Sequence, residues 1–416
     1  MANRSSSSIY EKLSITKGDT EVNLIGKVVG FDYYESLLSP NVTATIGFID
    51  TGSTLKDESK NIFGTIYNTL PITGGEEIKF KIGPLKGSLF NNAATNPNQE
   101  SQRESVVMSL ISKEGIENFN IANSKKYNGN ISDSVKKILQ SSFNVKETNL
   151  DVDKTGNGYS FVGANDNPFE LVTDLASMST YAEGNPGFFF YQTREGFKYK
   201  AIDNLIKQQP KETYYYSGAM TSGIEDDHNN TKIISFSVKK NQNIVNAMKS
   251  GVYETRNIFT NPLTLEVTEF IFKIENNKLT TTLGRDIDYS PVKSNNYYSR
   301  TFSSMLDVGS FSSGIDVNIN NDPREYLSKA AMRYNLLMSQ KIDIMIPSNL
   351  NLVAGDVIRC EFEKLTDDKV ISSFDINQSG NYLILDLCHH FDTKRSFTSL
   401  TLVRDSFGAY TNKNKK

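Results

Sequence analysis

The chain has 416 residues, of which 38% are hydrophobic and 22% charged, with a formal net charge of −3. That length suits roughly two to four domains with substantial cores, and so small a charge names no nucleic-acid or anionic-membrane partner. Its two cysteines, Cys360 and Cys388, lack C-x-x-C spacing, which argues against a disulfide framework and a zinc ribbon and for a reducing compartment.

The Ser-rich start, Met1 to Tyr10, has no apolar signal core, and no stretch approaches the ~18 apolar residues of a spanning helix, so neither export nor membrane insertion is expected. Strand alternation appears at Val22-Asn23-Leu24-Ile25, Lys27-Val28-Val29 and Ala44 to Asp50, with turn residues Ser39-Pro40-Asn41 and Ile72-Thr73-Gly74-Gly75-Glu76 leading into a strand at Ile78 to Ile82. Pro84 to Glu104 is polar and reads as a long structureless excursion before the strand Ser105 to Ile111. Ile131, Val135, Ile138 and Leu139 share one helical face over Ile131 to Phe143. Asn167-Pro168-Phe169-Glu170 opens a second helix, with Asn167 as cap and Glu170 closing a capping box. Its apolar stripe is Leu171, Val172, Leu175 and Met178.

A hairpin follows, with strands Gly187 to Tyr191 and Phe197 to Ala201 joined by Thr193 to Gly196. Ile233 to Val238 is a strand, and an Asn-rich tract with scattered strands, 251–321, reads as an insertion. Asp322-Pro323-Arg324-Glu325 opens a third helix, striped by Leu327, Ala330, Ala331, Tyr334, Leu337 and Met338. Strands at Lys341 to Ile346, Gly355 to Glu363, Asn381 to Leu387 and Phe397 to Val403 complete the pattern. The basic tail 411–416 is expected to be disordered.

Motifs with chemical meaning are few. Asp151-Val152-Asp153-Lys154-Thr155-Gly156 begins like a calcium loop, but its twelfth position is Val162, where the bidentate glutamate should stand. Lys154-Thr155-Gly156 and two S-x-x-K matches, Ser53-Thr54-Leu55-Lys56 and Ser134-Val135-Lys136-Lys137, imitate an acylating serine enzyme without its S-D-N element. Gly156-Asn157-Gly158 with Gly163 misses the dinucleotide pattern. His389 and His390 would point to opposite strand faces and His228 is remote, so no metal centre is expected. Cys360 and Cys388 read as core residues. The aromatic runs Phe188 to Tyr191, Tyr214 to Tyr216 and Tyr297-Tyr298 lack interleaved basic residues and suit cores or protein interfaces. The acid pairs Asp226-Asp227 and Asp367-Asp368 lie in polar turns, where nothing raises the pKa that a glycosidase acid needs. No catalytic, cofactor or metal residue is therefore nominated.

Several segments, taken in order, resemble the baseplate hub structural proteins of contractile-tailed phages: Tyr34-Glu35-Ser36-Leu37-Leu38 before the strand ending at Asp50, Gly115-Ile116-Glu117-Asn118-Phe119, Ser132 to Leu139, Asn167-Pro168-Phe169-Glu170, Gly380 to Asp386 and Ser399 to Leu402. The resemblance implies a β-rich α+β fold with two related antiparallel β-barrel-like domains, an α/β domain between them and an insertion in the second barrel. The expected limits are 1–115 for the first barrel, 116–225 for the α/β domain, 226–250 with 322–410 for the second barrel, and 251–321 for the insertion. It also implies a homotrimer whose six barrels imitate sixfold symmetry and adapt a hexameric tail tube to a trimeric spike, with a channel for DNA. The partners implied are the tail spike, the tail tube or its initiator, and tape measure proteins. The place implied is the virion tail baseplate, assembled in the host cytoplasm. A tail-associated cell-wall hydrolase and a sugar-binding adhesin are the alternatives, and no residue pattern favours either.

Overall fold

A computed structural model describes residues 10–52, 55–57, 62–70, 72–94, 98–100, 103–216, 230–240, 243–277, 279, 282–285, 298–308, 319–364, 374–393 and 395–408. Alternation of buried and open residues at period two builds its main sheet: in Thr43–Asp50 every second side chain, Ala44, Ile46, Phe48 and Asp50, is buried. The first part of the chain forms β1 (Lys12–Lys17), β2 (Thr20–Asn23), β3 (Val28–Ser36), β4 (Thr43–Asp50), a short pair β5 (Leu55–Asp57) and β6 (Ile62–Gly64), β7 (Glu77–Ile82), β8 (Leu85–Ala94), β9 (Asn98–Glu100) and β10 (Arg103–Ile111). A mixed region follows: β11 (Lys126–Tyr127), the helix Ile131–Phe143, β12 (Leu150–Val152), β13 (Phe161–Val162), the helix Pro168–Met178, β14 (Phe188–Thr193) and β15 (Gly196–Ala201).

The last part holds β16 (Thr213–Tyr216), β17 (Ser235–Lys240), a separate three-stranded sheet of β18 (Glu254–Thr260), β19 (Val267–Lys273) and β20 (Arg300–Met305), the helix Pro323–Leu337, and β21 (Gln340–Pro347), β22 (Val357–Phe362), β23 (Gly380–Asp392) and β24 (Ser396–Arg404).

Among the described residues one sheet of 14 strands contains both β-rich ends of the chain. The first end contributes the spatial order β3-β4-β10-β8-β7-β1, and the last contributes β17-β21-β24-β23-β22-β16. Read in chain order the six strands of each set fall into the same places, so one topology occurs twice. The single difference is that β1 runs antiparallel to β7 whereas β16 runs parallel to β22. The two sets are joined by β3 and β23, paired antiparallel from Ser36–Asp386 to Gly30–Asp392.

Each set has its own core. Phe31, Ile46, Phe48, Ile78, Phe80 and Met108 fill the first, and Ile342, Ile344, Tyr382, Ile384 and Leu402 fill the second. Full burial of such side chains contributes about 1.5–3 kcal/mol apiece. Phe391 of β23 packs inside the first core beside Phe31, with ring centroids 6.3 Å apart, so the joint is tied by side chains as well as by backbone. The mixed region packs the helices Ile131–Phe143 and Pro168–Met178 on the sheet β12-β15-β14. A fourth cluster, including Leu37, Tyr191, Leu205, Leu337 and Leu385, knits the three parts together.

Several expectations change. Pro84 to Glu104 is not a structureless excursion: its described residues form β8 and β9. Leu85, Leu89 and Asn91 point inward at even spacing, but the residues between them are polar or small, so the strand looks like a loop. The helix Pro168–Met178 forms without a capping box, because Asn118 Oδ1 accepts the Phe169 N–H at 2.9 Å instead. Asp322 does cap the last long helix through the Arg324 N–H, but Ser328, Met332 and Arg333 are buried there while Leu327 is only half-buried. Residues 411–416 lie outside the described residues.

Candidate assembly surface

One face of the joined sheet is open. From β17 across to β10 it shows, strand by strand, Ser237 and Lys239, Lys341 and Asp343, Ser399 and Thr401, Asp386, Cys388 and His390, Asp32 and Tyr34, Thr43 and Thr45, and Ser105 and Ser109. These residues alternate with the two cores, which is why most are polar, although Met345, Phe397, Ile49 and Val107 share the same face. Cross-strand bonds lace them together: Ser36 hydroxyl to Asp386 at 2.6 Å, Thr401 hydroxyl to Asp343 at 3.0 Å, and His390 Nδ1 with Asp32. An open trough of about 770 Å³ crosses this face between Phe236 and Thr43. Four aspartates, Asp32, Asp343, Asp386 and Asp392, stand on it against Lys239, Lys341, Arg103 and His390.

The edges of the two units are shaped by one repeated turn. In the first, Gly75 N–H donates to Asn91 O at 2.8 Å and Asn91 N–H to Glu76 O at 2.8 Å; in the last, Gly355 N–H donates to Ile384 O at 3.0 Å and Ile384 N–H to Asp356 O at 2.9 Å. Both glycines have left-handed φ, 80° and 90°, which a side chain rarely adopts. Each acid reaches three residues back, Glu76 to the Thr73 N–H and Asp356 to the Val353 N–H, and each meets a lysine at 2.8 Å, Lys17 or Lys211. The residue after each anchor is bulged out of register, at Asn92 in β8 and Leu385 in β23. In the sequence only the first of these turns stands out, at Thr73 to Glu76; Gly355 and Asp356 read there as the start of a strand that in fact begins at Val357.

The acids differ in their chemistry. Burial opposes ionisation of Glu76, but hydrogen bonds from Asn91, Lys17 and the Thr73 N–H outweigh it and hold its carboxyl at about 2. Burial wins for Asp356 and raises its carboxyl despite Lys211. Glu35, at the junction of β3 with the β14–β15 turn and the Gly355 turn, is wholly buried. It accepts from the Arg194 N–H at 2.7 Å, the Ala354 N–H at 3.0 Å and the Tyr33 hydroxyl at 3.1 Å. Burial still pushes it up to about 7.

Among the described residues, those singled out in the sequence stand apart from one another, each in its own local setting. Asp151 and Asp153 bind Lys198 and Lys200, and Leu150–Val152 is a strand beside β15, so no calcium loop forms there. Thr155 is buried against Ser132, Ser134 is buried in its helix, and Gly158 and Gly163 pack on the backbone of Gly129 and Asn123. His389 is buried, held by Thr398, and desolvation lowers its imidazole to about 3, while His390 faces the open side. Among the described residues no His, Cys, Asp and Glu group could hold a metal ion.

Cys360 is core, but Cys388 is not, because its strand position faces the open side; burial by its neighbours nonetheless pushes the thiol up to about 12. Phe188 to Tyr191 are core, whereas Tyr215 is exposed and Tyr298 stacks under Arg256. Ser53, Thr54, Asp226, Asp227, His228, Tyr297, Asp367 and Asp368 lie outside the described residues.

No protein-family model matches the chain. It is 22% identical over 259 residues, covering 58% of this chain and 57% of the relative, to the "probable baseplate hub protein gp334" of Vibrio phage KVP40. The chain thus spans little over half the length of the curated relative it matches. Two solved structures share its fold: a tail protein from Neisseria meningitidis MC58 (TM-score 0.56, 10% identity, 95% of this chain and 96% of that one) and a 43 kDa tail protein of prophage MuSo2 from Shewanella oneidensis (TM-score 0.55, 9% identity, 95% and 98%). The chain is therefore similar to a baseplate hub protein in sequence and to phage tail proteins in fold, as the segment resemblance implied. Its β-rich class, with large antiparallel sheets, stands as expected. Among the described residues no helix is long and apolar enough to cross a membrane.

Proposed function

We propose that this protein is the structural hub of a phage tail baseplate, a ring of three copies with no chemistry of its own. The observation that carries the reading is the doubled strand order within one continuous sheet. Three copies of a chain with two like β units offer six like surfaces to a hexameric tube, and three of another kind to a trimeric spike. The domain limits 1–115, 116–225, 226–250 with 322–410, and 251–321 belong to the same proposal.

In this reading the open sheet face lines the central channel. Its largely polar side chains, with four aspartates against the dispersed cations Lys239, Lys341 and Arg103, let DNA pass without adhering, since phosphate binding needs clustered cations. The spike sits on one rim, and the tube or its initiator, with the tape measure protein, on the other, in the virion baseplate assembled in the host cytoplasm. Light scattering on the purified chain, alone and mixed with its spike, tests the ring. The mass of three chains is expected, and a single-chain mass under both conditions would refute it.

A further inference from the structure

A pocket of about 320 Å³ lies between β12, β14 and β15 of the mixed region and the Gly355 turn of the last β unit. Tyr191 of β14 and Asp356 of the turn line it, and they are only 3% and 5% exposed. The Tyr191 hydroxyl rests against Gly355, where a Cβ would collide with it, and it has no hydrogen-bond partner among the described residues. Asp356 spends Oδ2 on the Val353 N–H and on Lys211, and among the described residues nothing donates to its Oδ1. Neither unused oxygen is sealed from solvent, so both can serve a guest in the pocket that they line.

Two amides add to this surplus of acceptors. Asn204 gives its Nδ2 to Asp153, and Gln208 gives its Nε2 to Leu205 O and Gly355 O, so the side-chain oxygens of both stay unspent at the pocket wall. The cationic donors of the wall, by contrast, are engaged: Lys198 with Asp151 and Glu195, Lys200 with Asp151 and Asp153, and Lys211 with Asp356. The four carboxylates of this set outnumber its three lysines. Burial first, and then the carboxylates of Asp151, Asp356, Glu35 and Asp153, hold the Tyr191 phenol well above its ordinary pKa, as a negative local potential requires.

An anion would have to pull a lysine away from its carboxylate before it could bind. A cation carrying N–H groups instead meets free acceptors and a buried charge in need of compensation. A metal ion does not suit the site, because among the described residues no three His, Cys, Asp or Glu side chains are placed to hold one. We infer that this pocket receives one cationic N–H donor, an alkylammonium or guanidinium group. The Tyr191 hydroxyl oxygen and Asp356 Oδ1 accept its N–H groups, with the Asn204 and Gln208 side-chain oxygens around them. The volume stands at the small end of ligand pockets, which suits a single such group, carried by a small free amine or by a lysine or arginine side chain of a bound protein. The inference goes beyond the ring reading and does not depend on it.

Saturation-transfer NMR on the full chain tests it, with n-butylammonium and n-propylguanidinium as probes and n-butanol and butyrate as neutral and anionic controls. Both cations should bind with a Kd on the order of 1 mM, and the controls about tenfold more weakly. Tyr191→Phe deletes a hydroxyl that bonds nothing among the described residues, so it should keep the unfolding temperature of the parent while weakening both cations about tenfold. Asp356→Asn should weaken them as much, and Asp19→Asn, at an exposed acid elsewhere, should change nothing. If Asp356→Asn fails to fold, Tyr191→Phe decides alone. N-acetyl-lysine N-methylamide and its arginine counterpart, set against putrescine, separate the two sources: tighter binding of the blocked residues assigns the pocket to a partner's side chain, and tighter binding of putrescine to a free amine. Cation binding no stronger than that of butanol, or equal in the parent and Tyr191→Phe, would overturn the inference and leave the pocket to water.

Discussion

Replacing Glu76 with glutamine isolates the repeated turn. The carboxylate accepts from the Thr73 N–H at 2.8 Å, the Gly74 N–H at 3.1 Å, Asn91 Nδ2 at 2.7 Å and Lys17 Nζ at 2.8 Å. Its descent from an ordinary 4.5 to about 2 corresponds to about 3 kcal/mol at ~1.4 kcal/mol per pKa unit. Lys17 is partly open to water, which screens its share, so a loss of about 2 kcal/mol is expected at pH 7. Because folding lowers this pKa, the contribution is whole above pH 4.5 and disappears as pH falls through about 2. Urea unfolding of both proteins at a series of pH values should show a gap that is constant at neutral pH and narrows below 4.5. A loss under about 0.5 kcal/mol, or one that does not change with pH, would refute the reasoning.

Three further outcomes are expected. Arg333 is fully buried and bonded to Asp203, with Asp405 at 3.6 Å, so Arg333→Met should strand two buried carboxylates and cost about 3–5 kcal/mol by thermal unfolding; a loss under 1 kcal/mol would show that the cluster is solvated. Folding raises Glu35 to about 7, so its ionisation penalises the fold: the Glu35 contribution is most favourable below pH 4.5 and worsens by up to about 3 kcal/mol as pH rises from 4.5 through 7. Glu35→Gln should lack that decline, and parallel pH curves for the two proteins would contradict it. The double variant Asp343→Lys with Asp386→Lys should change stability by less than about 1 kcal/mol, these being half-exposed positions. It should also create salt-sensitive DNA retention in gel-shift assays that the parent lacks; no retention at low salt would detach the open face from the channel.

What was legible in the sequence followed the strength of local signals. The helix Ile131–Phe143 is legible to the residue because its apolar face repeats without interruption, and β7 and β10 are legible to within one and two residues at their starts because their alternation is strong. β8 was lost because its inward positions are Leu85, Leu89 and a buried asparagine, whose place is fixed by the Glu76 carboxylate. The burial of Arg333 and Arg404 was likewise hidden, since their partners, Asp203, Asp405 and Gln340, come from distant segments. The doubled topology was expected only from family resemblance. Its physical marks, the Gly-acid turn and the bulge beyond it, are scattered over residues that share almost no identity.

Electron microscopy of the purified full-length assembly, averaged without imposed symmetry, addresses the central claim most directly. Three copies arranged about an open hole, with six similar β lobes at near-equal spacing around it, are predicted. A particle with no hole, or one whose lobes fall into two unlike rings that do not alternate about a common axis, would contradict the account.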